Sequence, residues 1–427
     1  MRKPRTGQSR HRASRSGQGG AERKRRKLIL AASAGALALG GAAVVVPSAF
    51  AEDEPVTTVL DEALLNGTTE LLPVDDELLG LVDVGEVTEV AESLTYADDA
   101  DSLQVSGPDA GYVKVHFERL LLNAGDYVTV SSPDGAESYR YEESMIDQWA
   151  TSITGDTAIV ELHRESDSGG SSALGALIDK AAYGFAADVV DGFAAEQAER
   201  SRPEESVCEG DEKRASVCYR TSYPDVVDHA DPVARLLIDG TVLCTAFRVG
   251  ESNRLLTNHH CFTESREAKA TEVWFGYGCV ACGADIANTP VKVNGSQVLA
   301  TSKSLDYTLF SVDDFDRVER FGYLDLADRP ARSGEAIYIP QHPAGRPTEI
   351  AMESSVDGGN CVVKHAVYDG YVAGSDVSYY CDTEFGSSGS PVLSRDSHEV
   401  IALHHFGGCP NSGVSTQLIK AEIDHLI

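Results

Sequence analysis

Three short segments carry side chains of the types that nucleophilic catalysis uses. Phe385-Gly386-Ser387-Ser388-Gly389-Ser390-Pro391-Val392 is a loop of small residues between an apolar run ending at Tyr380 and another beginning at Pro391. With so little side chain in the way, its backbone N–H groups can converge on one point, as a site for a developing oxyanion requires. A Gly/Ser hairpin has the same composition, so the loop alone decides nothing. Leu255-Leu256-Thr257-Asn258-His259-His260-Cys261 runs a predicted strand into two histidines and a cysteine. A lone histidine reads as a satisfied surface or core residue, but a disulfide from Cys261 to Cys244 would hold this turn rigidly enough for proton transfer. Asp306 enters the apolar run Tyr307-Thr308-Leu309-Phe310. A carboxylate is costly to bury there without a hydrogen-bonded partner, and an imidazole N–H is such a partner. Asp313, Asp314 and Asp316 lie in polar sequence and read as exposed strand-edge acids.

The elements that must position these groups are short and strand-like. Arg235-Leu236-Leu237-Ile238, Val242 to Phe247, Val273-Trp274-Phe275, Tyr307 to Phe310 and Ala336 to Ile339 are apolar runs separated by Gly, Asp, Asn and Pro. Val362-Val363, Ser378-Tyr379-Tyr380 and Val400 to Leu403 follow. Many short strands with such turns predict an all-β fold with a pair of barrels. One helix is expected at the end, where Leu418, Ile419, Ile423, Leu426 and Ile427 share a face.

The order His, Asp, Ser along the chain is that of chymotrypsin-like proteases among the convergent triads. The C-terminal unit, residues 206–427, resembles the trypsin-like serine endopeptidases and, within them, the secreted bacterial lysyl-endopeptidase-like branch. The matching segments are Leu256 to Cys261, Leu305-Asp306-Tyr307-Thr308-Leu309 and Thr383 to Pro391. The resemblance implies a catalytic triad of His260, Asp306 and Ser388, selecting His260 over His259 and Ser388 over Ser387 and Ser390. Backbone N–H groups of Gly386 and Ser388 would form the oxyanion hole. Ser387 stands where zymogen-activated members carry an Asp that pairs with a newly cleaved N-terminus, so that switch is not expected. Removal or displacement of residues 52–205 is the expected route to activity instead.

Asp382 and Glu384 make the wall before the nucleophile loop acidic, which favours a basic P1 side chain by charge pairing. The lysyl branch requires an Asp after the last Cys, where this chain has Asn411. In glutamate-specific relatives a His near His404 and His405 reads a P1 carboxylate. Leu403 to Gly408 resembles the edge strand that pairs with extended substrate. For the disulfides, resemblance and spacing imply Cys244 with Cys261, Cys208 with Cys409 and Cys361 with Cys381. Cys218 would take Cys279 or Cys282. Zinc held by Cys279, Cys282, His259 and Cys261 has fitting ligand types. A single C-x-x-C in an oxidising compartment argues against it, so neither metal nor cofactor is expected.

Composition bounds the remainder. The 427 residues carry 36 Lys and Arg against 67 Asp and Glu. A field this negative disfavours nucleic acid and anionic membranes. Eleven of the basic residues precede residue 28, followed by the apolar run Leu28 to Val46 and Ala49-Phe50-Ala51. That pattern predicts a cleaved signal peptide over 1–51, leaving a secreted chain of charge about -41 and no membrane association after its removal. Residues 52–205 read as an acidic pro-region or accessory domain. Residues 52–103 are expected to be loosely ordered, 104–165 to form a small β-sandwich and 166–205 a linker and an Ala-rich helix. All nine cysteines follow residue 205. The expected protein is a monomer acting on polypeptide substrates. The rival reading is a catalytically inactive protease-like binding or adhesion protein.

Overall fold

The computed structural model describes residues 71–72, 81–165, 171–199, 207–284 and 286–427. The expected signal peptide, and residues 166–170 of the expected linker, lie outside the described residues.

Alternation of apolar and polar side chains in the N-terminal half builds two facing sheets. One runs Gly85–Thr95, Gly175–Gly184, Tyr112–Leu121 and Met145–Trp149, with Ile153–Thr154 on the third strand. The other runs Ser102–Ser106, Thr157–His163, Tyr127–Ser131 and Ser138–Tyr141. Val113, Val115, Phe117, Val128, Val130, Val160 and Ile178 close a core between them. Two expectations change here. Gly85–Thr95, expected to be loose, is an 11-residue strand because the adjoining strand Gly175–Gly184 supplies its hydrogen-bond partners. Gly175–Gly184, expected to be helical, lies between two strands and is extended despite its alanines, and helix begins only at Ala187–Glu199. Pairing on both edges outweighs alanine's helix preference.

The C-terminal half is mostly β, as expected. Val233–Ile238, Val242–Arg248, Leu255–Thr257, Tyr307–Val312, Val291–Ser302 and Glu272–Phe275 close a six-stranded barrel. An eight-stranded sheet follows, containing Ile337–Gln341, Pro391–Ser394, Val400–Phe406, Asn411–Ser415 and Asp376–Tyr379 in that order. Leu256, Leu305, Tyr307, Tyr338, Leu403 and Val414 share one core cluster, so the two sheets pack on a common apolar seam. The helix Thr416–Ile423 seals it with Ile419 and Ile423, while Leu418 is exposed.

The sandwich docks on the barrel through polar groups, most of them buried. Tyr112 donates to Gly240 O at 2.7 Å, and Trp149 donates its indole N–H to Asp239 at 3.1 Å. Glu272 accepts from Ser152 N and Oγ at 2.7 and 2.8 Å and pairs with Lys114 Nζ at 3.0 Å. Lys292 donates to Ser152 O at 2.8 Å. Burial alone would raise the Glu272 pKa, but the Lys114 and Lys292 charges outweigh it and hold the carboxyl below its usual range.

Candidate active site

The glycine-rich loop is seated by the barrel strand Val242–Arg248. Thr245 N–H donates to Ser388 O at 2.7 Å, and Thr245 Oγ1 donates to Gly386 O at 2.8 Å. Gly386 and Gly389 have φ of 85° and 90°. A Cβ on Gly389 would fall 2.0 Å from Thr245 O and 2.5 Å from Thr257 Oγ1, so only glycine permits this approach. Ser387 turns inward: its N–H donates to Glu384 O at 3.0 Å and its Oγ to Gln341 Oε1 at 2.6 Å. Gln341 in turn donates to Asp382 O at 2.9 Å. The loop conformation is thus fixed by internal hydrogen bonds.

His260 follows the barrel strand Leu255–Thr257, and Asp306 precedes the strand Tyr307–Val312 that pairs with it. The pairing brings the two side chains together. His260 Nδ1 lies 2.8 Å from Asp306 Oδ2, and His260 N–H donates to Asp306 Oδ1 at 3.0 Å. Asp306 sits at φ 44°, a left-handed conformation that aspartate tolerates better than most residues, and Asn258 Nδ2 donates to its carbonyl at 2.9 Å. Burial would raise the Asp306 pKa, but the imidazoles of His260 and His405 prevail and hold it well below the carboxylate range. His260 Nε2 is buried and has no hydrogen-bond partner. His259 turns instead to Thr301 Oγ1, at 2.9 Å from its Nδ1.

The nucleophile loop reaches this pair through the strand Val400–Phe406. Gly389 N–H donates to His404 O at 2.9 Å, and the next residue, His405, places Nδ1 3.1 Å from Asp306 Oδ2. His260, Asp306 and the Ser388 loop therefore share one neighbourhood, at the seam of barrel and sheet. The sequence reading missed Asp376, whose Oδ2 lies 2.6 Å from His405 Nε2 and accepts from Ser412 Oγ at 2.8 Å. Its signal was present: like Asp306, it is an acid opening an apolar run, Val377-Ser378-Tyr379. Burial opposes protonation of His405, but Asp376 and Asp306 push its pKa up to about 9.

The residues expected to contact substrate are already engaged. Asp382 is buried and accepts backbone N–H groups of Cys208 at 3.0 Å and Glu212 at 2.8 Å. Burial pushes its pKa up to about 6 against those bonds. Glu384 pairs with Arg346 and lies 3.6 Å from Lys213 Nζ. Asn411 donates to Cys381 O at 2.7 Å. His404 lies 2.7 Å by Nδ1 from Tyr379 Oη, and burial pushes its pKa down to about 3.

The bridges Cys244–Cys261, Cys208–Cys409 and Cys361–Cys381 form as expected, and Cys218 takes Cys282. Two of the three cysteines in the zinc set, Cys261 and Cys282, are thereby oxidised and offer no thiolate, so the set cannot hold the ion. The grouping of Cys244, His260 and Cys261 fails as a metal site for the same reason.

Fold and site together define a class. Residues 244–403 match the family described as trypsin-like peptidase domain, and the fold is that of a serine protease. The chain is 33% identical over 321 residues to secreted RxLR effector protein 73 of Plasmopara viticola, covering 72% of this chain and 77% of that one. At that identity and coverage, the chain belongs to the same family as this effector. Among solved structures, it is similar to Rv3671c of M. tuberculosis (14% identity, 52% of this chain and 96% of that one, TM-score 0.34). It is also similar to a Glu endopeptidase (18% identity, 51% and 96%, TM-score 0.36).

Proposed function

We propose that the protein is a secreted serine endopeptidase using Ser388, His260 and Asp306. One observation carries the reading: Asp306 holds His260 by Nδ1 and leaves the opposite nitrogen buried without a partner, while the same carboxylate meets His405 on the strand to which the Ser388 loop is hydrogen-bonded. In the proposed cycle, Ser388 Oγ bonds to the scissile carbonyl carbon and its proton passes to His260 Nε2. The negative charge on the former carbonyl oxygen faces the N–H groups of Gly386 and Ser388, each worth ~3 kcal/mol in such sites. The C–N bond then breaks, and His260 returns the proton to the leaving amine. Water, deprotonated by the same imidazole, releases the acid and restores Ser388. Asp306 fixes the tautomer and stabilises the imidazolium throughout.

The Gln341–Ser387 hydrogen bond supports a loop that does not wait for a new N-terminus. The four disulfides, the composition of residues 1–51 and the secreted relative support export. The engagement of Asp382 and Glu384 argues against a basic P1 preference drawn from their charge. The relative's designation as an effector favours a second reading, a protease-like binding protein. A fluorophosphonate probe separates the two: the endopeptidase is labelled and Ser388→Ala is not, with kcat falling by ~10⁶. An unlabelled wild-type chain would favour the binding protein.

A further inference from the structure

Two pieces of the N-terminal half reach the flank of the nucleophile loop. Asp83 bridges Val242 in antiparallel fashion, and Val84 N–H donates to Thr241 O at 2.7 Å. Val84 and Val190 are buried in one apolar cluster with Leu243, Ala344 and Phe385, and Phe193 packs at its edge. Val190 and Phe193 belong to the helix Ala187–Glu199. Phe385 directly precedes Gly386, and a Cβ on Gly386 would lie 3.3 Å from Leu243 Cβ.

A substrate lying across Ser388 must extend in two directions. On one side, the strand Val400–Phe406 meets the loop through Gly389 N–H and His404 O, and the acyl part of an extended peptide would run along its Phe406 end. On the other side lies the strand Val242–Arg248, tied to the loop through Thr245 N–H and Ser388 O. The leaving amine and the residues beyond it must therefore pass over Leu243 and Phe385. Asp83 and Val84 already pair with the backbone at that end, and the helix already covers its apolar side chains.

We infer that the N-terminal sandwich and its helix form a wall across the leaving-group side of the cleft. Docked, the wall admits acyl substrates with a short leaving group and excludes polypeptide extending well beyond the scissile bond. The inference rests on the peptidase reading above and names which half of the cleft the N-terminal region controls.

The test uses the full chain and peptides of one acyl sequence, extended by one or by three residues beyond the scissile bond. In the wild type, kcat/KM on the longer peptide falls about tenfold or more below that on the shorter. Val190→Asp, and the milder Phe193→Ala, raise the long-to-short ratio toward one and leave the rate on the shorter peptide unchanged. Equal kcat/KM on both peptides in the wild type, or a ratio that neither variant moves, overturns the wall. Failure of a small fluorophosphonate to label the wild type overturns the peptidase reading instead, and the wall with it.

Discussion

His405 Nδ1 lies 3.1 Å from Asp306 Oδ2, the same oxygen that meets His260 Nδ1 at 2.8 Å. His405 Nε2 lies 2.6 Å from Asp376, so a buried imidazole is held between two buried carboxylates. Asp306 thus shares its charge between two histidines, and a positioning residue joins the sheet to the barrel at the proposed catalytic pair.

That arrangement makes stability depend on pH. The His405 pKa is raised from 6.5 to about 9, so its contribution is complete below pH 6.5 and is lost as pH rises through about 9. The unfolding free energy from denaturant titration should fall between about pH 7 and pH 9.5 in the wild type, and fall less in His405→Gln. Parallel curves for the two proteins would remove this role.

Gly389 is held by sterics as well as by its φ of 90°. Gly389→Ala puts a methyl 2.0 Å from Thr245 O, forcing the loop off the barrel strand. We expect a stability loss of about 2–3 kcal/mol and loss of fluorophosphonate labelling. A denaturation midpoint equal to the wild type's would count against the seated loop.

Glu272 is the electrostatic centre of the docked sandwich, with Lys114 at 3.0 Å and the Trp274 indole N–H donating at 2.8 Å. Glu272→Leu leaves the buried Lys114 without its carboxylate, and Lys292 with Glu137 alone at 3.5 Å, and should cost about 3–5 kcal/mol. Adding Lys114→Met should recover part of that loss. Because the Glu272 pKa is depressed from 4.5, the pair's contribution is present above that pH and is lost as pH falls below it. Additive effects in the two single variants and the double would show that the groups do not interact.

Asp382 spends both oxygens on backbone N–H groups, and Glu384 is compensated by Arg346 and Lys213. In a peptide library varied at P1, Asp382→Asn should leave the Lys-to-Glu cleavage ratio within about threefold of the wild type. A selective collapse of Lys and Arg cleavage would restore Asp382 as the specificity residue.

The short strand-forming apolar runs, the histidine turn and the acid at Asp306 were legible in the sequence, because each breaks or keeps a local pattern with a plain physical cost. A carboxylate at the mouth of an apolar run must find a partner, and a run of small residues must be a place where backbone comes close. The strand Gly175–Gly184 was illegible because its alanines favour helix until two flanking strands offer hydrogen bonds. Residue types and local periodicity were enough to determine a mostly β C-terminal half and its cysteine-rich character, and the resemblance of three short motifs to a known family singled out the candidate chemistry. Only the tertiary structure decided that Asp382 would be consumed by the backbone of Cys208 and Glu212, that Asp376 would meet His405, and that the sandwich would lie beside Phe385. Those contacts join residues far apart in the chain, and their energies depend on burial and geometry that no local stretch of sequence specifies.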